Sequence, residues 1–231
     1  MRIGEKPEIA QLPLFRDMAD SQRDAILADA YLQVFPPQLT LFEVGQHADF
    51  LHVLVDGLVE LYVESAGRDT TMRIVEPVAS YILAAVVTDM PYLMSARTLA
   101  SSRILLVPAA KLRETVSEDD ALMQATMREL AYGYRDMVRA LTDMKVRQSI
   151  ERLGNYLLEK SSREGGQWEF ELRGEKRLLA SLLGMTPENL SRAFGTLKKH
   201  GVSLNGTTVR IEDRESLERY SRPDPVPRGR R

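Results

Sequence analysis

Cysteine is absent from the 231 residues, and histidine occurs only three times. Without cysteine the chain has no disulfide, no thiol redox sensor and no cysteine-ligated iron–sulfur cluster. No apolar run approaches the roughly 20 residues that span a bilayer, and the N-terminus lacks a signal-peptide pattern. No Gly-rich phosphate loop, nucleophile motif or histidine/carboxylate metal cluster occurs either. We therefore expect a cytoplasmic protein that is neither a membrane protein nor an enzyme and that holds no metal.

The formal net charge of −2 hides an uneven distribution of charge. Residues 147–231 contain 17 Lys/Arg and 12 Asp/Glu, whereas residues 1–146 contain 14 and 21. A basic C-terminal part joined to an acidic N-terminal part fits nucleic-acid binding that is confined to one domain. The chain is long enough for two domains with separate cores.

The segment 184–197 predicts the turn and second helix of a helix-turn-helix. Thr186 can cap this helix, and Pro187 suits its first position, where a missing N–H costs nothing. The Leu-rich residues 175–183 predict a short first helix, and Gly184 supplies the turn. Three apolar residues at helical spacing predict the buried face of the second helix: Leu190, Phe194 and Leu197.

Another face of the same helix carries Glu188, Ser191 and Arg192 at i, i+3 and i+4. Arg forks onto O6 and N7 of guanine, Glu accepts from N4 of cytosine, and Ser donates or accepts. The alternative is an ordinary solvated face with a surface ion pair. Four neighbouring residues are predicted to contact phosphates or water, which position a helix without selecting a sequence: Thr186, Asn189, Lys198 and Lys199.

A two-stranded wing is predicted after the helices. Asn205-Gly206 lies between two β-prone runs in residues 201–211, which is a strong hairpin signal. Residues 168–172 alternate like a strand and are expected to pair with the wing. The residues before them, 161–166, read as a loop.

The Glu188-x-x-Ser191-Arg192 pattern, followed by an apolar run and the wing, resembles the DNA-reading helix of the CRP/FNR superfamily of bacterial transcription regulators. It is the FNR-type form, and residues 187–194 look closest to the FixK, DNR and NnrR branches. The resemblance extends from about Leu12 to Tyr220. It implies an α+β fold with an N-terminal antiparallel β-roll of the cyclic-nucleotide-binding type, a long dimerisation helix and a C-terminal winged helix-turn-helix.

The resemblance also implies what the chain binds and controls. A homodimer would read double-stranded DNA palindromes with TTGA-type half-sites, with Arg192 on the guanine, Glu188 on the paired cytosine and Ser191 at a thymine. RNA polymerase would be a further partner. The genes concerned would serve low-oxygen or nitrogen-oxide respiration (denitrification), and nitric oxide is a candidate signal.

Four segments are expected along the chain. Residues 1–116 would form N-terminal helices and a β-roll sensor domain built from short strands between 34 and 107, with two of these strands around Asp56-Gly57. Residues 117–146 would form the dimerisation helix, and residues 147–220 the DNA-binding domain. Residues 221–231 are rich in Pro, Arg and Gly and are expected to be a disordered tail.

An a/d heptad pattern in the expected dimerisation helix predicts a parallel dimeric coiled coil. The alternative is a helix packed only on its own domain. Gly133 would weaken this helix by about 1 kcal/mol relative to Ala. The predicted seam follows a 4, 3 spacing: Met123, Met127, Leu130, Tyr134, Met137, Leu141 and Met144.

The sensor segment departs from relatives that bind cyclic nucleotides. In the resemblance, Ile82 stands where a ribose-binding Glu would be, and Met94 stands at the phosphate-binding Arg. A buried phosphate without its Arg is poorly compensated, and Arg97 would need a different strand register. The sequence therefore argues against cyclic AMP. Haem is an open alternative with His47 and His52 as candidate ligands, as is a regulator that needs no ligand or takes another small molecule.

Overall fold

The computed structural model describes residues 9–65, 67–172 and 176–223. The chain divides into two compact units, Met1–Tyr134 and Arg135–Arg231, and the border falls inside a long helix. Within the described residues, no helix is both long and apolar enough to cross a membrane. The predicted segment boundaries at 116, 146 and 220 stay predictions.

The first unit is a double-layered antiparallel β structure with helices around it. Its helices are α1 (Asp20–Ala28), α2 (Leu83–Thr88), α3 (Ala109–Glu118) and the first part of α4 (Asp120–Val146). Its strands are β1 (Tyr31–Phe35), β2 (Thr40–Phe42), β3 (Phe50–Asp56), β4 (Val59–Ser65), β5 (Arg68–Val75), β6 (Ala79–Tyr81), β7 (Ser95–Thr98) and β8 (Ser102–Pro108).

Two four-stranded sheets enclose the core of this unit. Their strand orders are β1-β8-β3-β6 and β2-β7-β4-β5, with antiparallel pairing throughout. Leu54, Leu61 and Ile104 are fully buried in the core, and Phe15 of the N-terminal lead-in joins them. The α+β class and the N-terminal antiparallel sheets that the sequence predicts are confirmed.

The turn at Asp56-Gly57 joins two strands that do not pair with each other. β3 belongs to one sheet and β4 to the other. Gly57 has a φ of +101°, and a Cβ there would lie 2.4 Å from Ser102 Oγ. Here the chain crosses from one sheet to the other and passes close to Ser102. Gly57 permits this close approach of the backbone, and the turn does not form a two-residue hairpin.

Helix α4 contains the predicted heptad. Leu122, Ala125 and Thr126 form its buried side. On the seam, Leu130 is half-buried against the first core. The other six seam residues are exposed in the single chain: Met123, Met127, Tyr134, Met137, Leu141 and Met144.

The second unit contains a winged helical fold. Its elements are the end of α4, α5 (Ser149–Arg163), β9 (Glu169–Glu171), α6 (Lys176–Leu182), α7 (Pro187–Leu197), a 3-10 turn (Lys198–His200), β10 (Val202–Asn205), β11 (Thr208–Ile211) and α8 (Arg214–Ser221). The strands form one antiparallel sheet in the order β10-β11-β9. Leu153, Leu190 and Leu217 belong to its core.

The loop predicted at 161–166 is wrong in its first half, because α5 continues to Arg163. The serines do not end the helix. Ser162 donates from its hydroxyl to Leu158 O, and Ser161 donates to Gln167 O. Gly165 and Gly166, both with positive φ, end it instead.

The predicted tail begins with Ser221, which is the last residue of α8. Residues 224–231 of that tail lie outside the described residues. Residue 175, the predicted start of the first helix of the helix-turn-helix, lies outside them as well.

Candidate nucleic-acid interface and sensor domain

Helix α7 has the two faces that its sequence predicts. Thr186 caps it by accepting the N–H of Asn189 at 3.3 Å, and Pro187 occupies its first turn. Leu190 and Leu197 are almost fully buried, and Phe194 is buried beside them. These contacts hold the opposite face outward, so the helix presents its polar side chains as a rigid row.

All seven residues predicted to contact DNA are exposed. Glu188, Ser191 and Arg192 share one face of α7, one turn apart. The pKa of Glu188 is lowered by hydrogen bonds from its own backbone N–H and from Thr186, and by the charge of Arg192. Glu188 therefore stays ionised near neutral pH and can accept a hydrogen bond. Four flanking residues surround this face: Thr186, Asn189, Lys198 and Lys199.

The turn between α6 and α7 is held by an arginine that the sequence did not single out. Arg152 of α5 donates from Nε to Leu183 O at 3.0 Å and from a terminal nitrogen to Arg147 O at 2.8 Å. Burial lowers its pKa. Gly184 adopts a φ of +64°, and its Cα approaches the Met144 methyl, which lies 2.7 Å from where a Cβ would stand. Arg152 is thus a positioning residue for α7.

A groove of about 360 Å³ separates α7 from the wing. Lys176, Lys198 and Ser203 line it beside Ser191. Gly195 also lines it and has nothing within 4 Å of where a Cβ would be. The sequence does not indicate that the groove includes Lys176, Ser203 or Gly195. Each of these residues becomes part of it only when three separate elements pack together.

The wing is confirmed, with its turn one residue further along than the Asn-Gly signal suggests. Asn205 pairs with Thr208, so Gly206 and Thr207 form the turn, and Gly206 has a φ of +61°. A glycine with positive φ at the first central position is typical of a type II′ turn. β9 pairs with β11 as predicted, with Phe170 opposite Val209.

The sensor residues lie around a short helix that follows β6. Ile82 precedes α2 in the left-handed region, with a φ of +59°, and packs half-buried against the first core. Met94 packs against the same core. Arg97 is held by two carboxylates, Glu60 at 2.7 Å and Asp69 at 2.6 Å. The guanidinium of Arg97 is therefore paired with carboxylates of its own sheet.

The two candidate haem ligands differ in environment. Nδ1 of His47 lies 3.0 Å from Asp49, and its Nε2 lies 3.4 Å from Asp89. His52 is buried, and burial lowers its pKa to about 4. Both histidines border one opening of about 310 Å³, here named the His52 cleft. Its walls include Phe35, Leu41, Phe42, His52, Tyr92 and Leu106.

His47 has no ring nitrogen that is free of a carboxylate. In the described residues, no cluster of three or more His, Cys, Asp or Glu side chains could hold a metal ion.

Comparisons with known proteins agree with this architecture. The cyclic nucleotide-binding domain family matches residues 32–119, and the Crp-like helix-turn-helix domain family matches residues 151–220. A CRP-like cAMP-activated global transcriptional regulator of Mycobacterium tuberculosis is 24% identical over 220 residues, which are 93% of this chain and 98% of that protein.

Two solved structures cover most of the chain. One, from Ruegeria pomeroyi, is provisionally described as a cyclic nucleotide binding protein. It is 25% identical, covers 96% of this chain and 100% of its own, and has a TM-score of 0.62. The other, FixK2 from Bradyrhizobium japonicum, is 19% identical, covers 82% and 96%, and has a TM-score of 0.74.

The β-roll, the long helix and the exposed helix-turn-helix define a winged-helix transcription regulator. The chain belongs to the CRP/FNR family of DNA-binding transcription regulators. Its relatives are regulators and not enzymes.

Proposed function

We propose that the protein binds palindromic DNA with TTGA-type half-sites, one α7 helix for each half-site. The observation that carries this proposal is the exposed trio Glu188, Ser191 and Arg192 on a helix whose opposite face is locked in a core. Arg192 has the donors for guanine, and the ionised Glu188 accepts from the paired cytosine. Ser191 helps at a thymine.

A homodimer is the second part of the proposal. A two-fold reader needs an axis that places its helices about one DNA turn apart. Six of the seven seam residues of α4 are exposed apolar or aromatic side chains, and such a row is costly to leave in water. Pairing of two α4 helices along the seam would cover them.

We further propose that the protein controls genes for low-oxygen or nitrogen-oxide respiration, together with RNA polymerase. This part rests on the FixK/DNR/NnrR-like form of α7. A transcript profile of a deletion strain tests it. Denitrification genes that respond normally to nitric oxide in that strain would contradict it.

In this proposal cyclic AMP does not control DNA binding. Ile82 and Met94 stand in place of the ribose-binding Glu and the phosphate-binding Arg, and Arg97 is paired with two carboxylates of its own sheet. A regulator without a ligand and one with another small molecule are the alternatives. Haem is the least supported of them, given the environments of His47 and His52. A Soret band that forms on reconstitution with haem and responds to nitric oxide would contradict this ranking of the alternatives.

Selection from random duplexes tests the DNA proposal directly. The full-length protein should enrich palindromes whose TTGA-type half-sites are centred about 10 base pairs apart. Enrichment of another sequence, or of single half-sites, would overturn it.

A further inference from the structure

The His52 cleft lies between the two sheets of the β-roll. Phe35 and Leu106 reach it from the first sheet, and Leu41 and Phe42 reach it from the second. Gln46 and Tyr92 border it where two loops meet: Gly45 N–H donates to Tyr92 O at 2.8 Å, and Tyr92 N–H donates to Gln46 O at 2.9 Å. Neither Ile82 nor Met94 lines it.

The part of the cleft that Phe50 and His52 line offers one hydrogen-bond acceptor. The carbonyl of Phe50 accepts from His52 Nδ1 at 3.2 Å and from the Tyr92 hydroxyl at 3.4 Å. A carbonyl can only accept, so the proton of the His52 ring sits on Nδ1 and Nε2 is a bare acceptor. The Tyr92 hydroxyl also donates its proton to the Phe50 carbonyl, so it offers no further donor to a ligand.

Nothing in the described residues satisfies Nε2 of His52. The nearby Tyr81 ring is centred 5.4 Å from the imidazole, but its buried hydroxyl has no hydrogen-bond partner. His52 is only 6% exposed, yet Nε2 is not one of the fully buried side-chain atoms that lack a partner, so water in the cleft can reach it. A ligand that displaces this water must bring its own donor, because an acceptor that is buried without one is costly.

The residues that line the cleft determine which charge and shape of ligand it can bind. Phe42 and Tyr92 lie with ring centroids 4.0 Å apart, and Phe42 lies 5.0 Å from His52, so the pocket has an aromatic lining. No Lys or Arg is among the residues that line it. An anion would find no counter-charge, and Asp49 at the rim would repel it.

The volume gives room for a small aromatic occupant. An apolar cavity of about 150 Å³ in another protein holds benzene. The cleft has about 310 Å³, so it suits one fused pair of aromatic rings.

We propose that the His52 cleft binds a small, uncharged aromatic molecule that carries one hydrogen-bond donor, placed on Nε2 of His52. This inference goes beyond DNA recognition and is tested without DNA. Indole and benzofuran are suitable probes, because they share a shape and only indole has an N–H.

Calorimetric titration of the full-length protein near pH 7 should show indole binding about tenfold more tightly than benzofuran, since only indole satisfies Nε2. His52→Phe keeps an aromatic ring and should reduce that ratio to about one. His200→Gln changes a histidine of the second unit that does not line the cleft, and this matched control should keep the wild-type ratio.

Nitrogen NMR of the imidazole gives a second measurement in the unaltered chain, should His52→Phe fail to fold. Indole should shift the Nε2 resonance of His52 in the direction expected for an acceptor that gains a hydrogen bond, and benzofuran should not shift it in that direction. Equal affinities for the two probes, or no saturable binding of indole up to its solubility limit, would overturn the proposal. An indole preference that survives in a folded His52→Phe variant would overturn the assigned contact.

Discussion

Arg97 on β7 faces Glu60 on β4, and its Nε donates to Glu60 Oε2 at 2.7 Å. Glu60 is fully buried, and its other oxygen accepts from Thr71 at 2.5 Å. Arg97 also donates to Asp69 and lies 4.3 Å from the centre of the Tyr62 ring. Removing Arg97 from this arrangement would leave a buried carboxylate without its cation, which is strongly unfavourable.

Cyclic AMP should therefore not bind. Its phosphate would have to take Arg97 away from Glu60, and neither Ile82 nor Met94 offers a replacement. Calorimetry at millimolar nucleotide should show no saturable heat. Saturable heat that disappears in Arg97→Lys would show that the guanidinium leaves Glu60 for the nucleotide.

Gly154 of α5 should be required for the packing of α8. A Cβ there would lie 1.9 Å from Ser221 Oγ, 2.9 Å from Ser221 Cβ and 3.2 Å from Leu217. Gly154→Ala should lower the free energy of unfolding by about 1–3 kcal/mol, because crowding outweighs the better helix propensity of Ala. Urea unfolding measures this change.

Gly133→Ala is the control for that substitution, because it is also a helical glycine and nothing lies within 4 Å of its added Cβ. It should leave stability unchanged or raise it by up to about 1 kcal/mol. Equal stabilities of the two alanine variants would show that α8 does not pack closely on Gly154.

The parts of the fold that the sequence predicts are those with local signals. Thr186, Pro187 and the apolar spacing of α7 are all within one helix, and the structure shows the cap and the buried face. The wing depends on a glycine turn between two short strands, and only the turn position shifts by one residue. Periodicity and turn chemistry act over a few residues, so they can be read without the fold.

The parts of the structure that the sequence does not predict depend on contacts between residues that are distant along the chain. Glu60 and Asp69 are 37 and 28 residues from Arg97 and reach it only through strand register. Arg152 meets Leu183 across 31 residues. Ser161 and Ser162 look like a loop because their hydroxyls compete with helical hydrogen bonds, yet here they bond to carbonyls and α5 continues.

The α4 seam should hold the dimer. Met137 and Leu141 are 68% and 55% exposed, so Met137→Asp with Leu141→Asp should place four charges in a dimer seam without disturbing the single chain. Leu130 is a poorer choice because it also packs on the first core. Sedimentation should show monomers.

Arg135→Asp with Thr142→Asp is the matched control on the same helix. Both residues are exposed, and each follows a seam position by one residue. This variant should remain dimeric. A dimer in the Met137/Leu141 variant would show that the partner helices use another face.

Protonation of His52 should make the first unit less stable in mild acid. Its pKa is about 4 in the folded chain and 6.5 for the exposed side chain, so the unfolded chain binds the proton first. The contribution of the neutral imidazole is complete above about pH 6.5 and is lost as the pH falls toward 4. Wild type should lose about 2 kcal/mol more than His52→Phe between pH 7 and about pH 5.

Urea unfolding at the two pH values measures this difference. His47→Gln should keep the wild-type pH dependence that arises from His52. If wild type and His52→Phe lose stability in parallel, the imidazole of His52 is accessible to protons in the folded chain.

Arg192 should read a base, whereas Lys199 should contact the backbone. Arg192→Ala removes a guanidinium from the exposed face of α7 and should cost about 1–3 kcal/mol for each half-site on a TTGA palindrome. The loss should be smaller on a duplex whose guanine is replaced, because the fork has no partner there. A shift assay with both duplexes at two salt concentrations measures it.

Lys199→Ala is the control because it removes one cation from the same region without touching the reading face. It should weaken binding to both duplexes equally and reduce the salt dependence, since one phosphate contact fewer releases fewer counterions. Arg192→Ala should keep most of the salt dependence while losing preference for the guanine. Equal weakening of both duplexes by Arg192→Ala would make Arg192 a phosphate contact, and the base assignment at that position would fail.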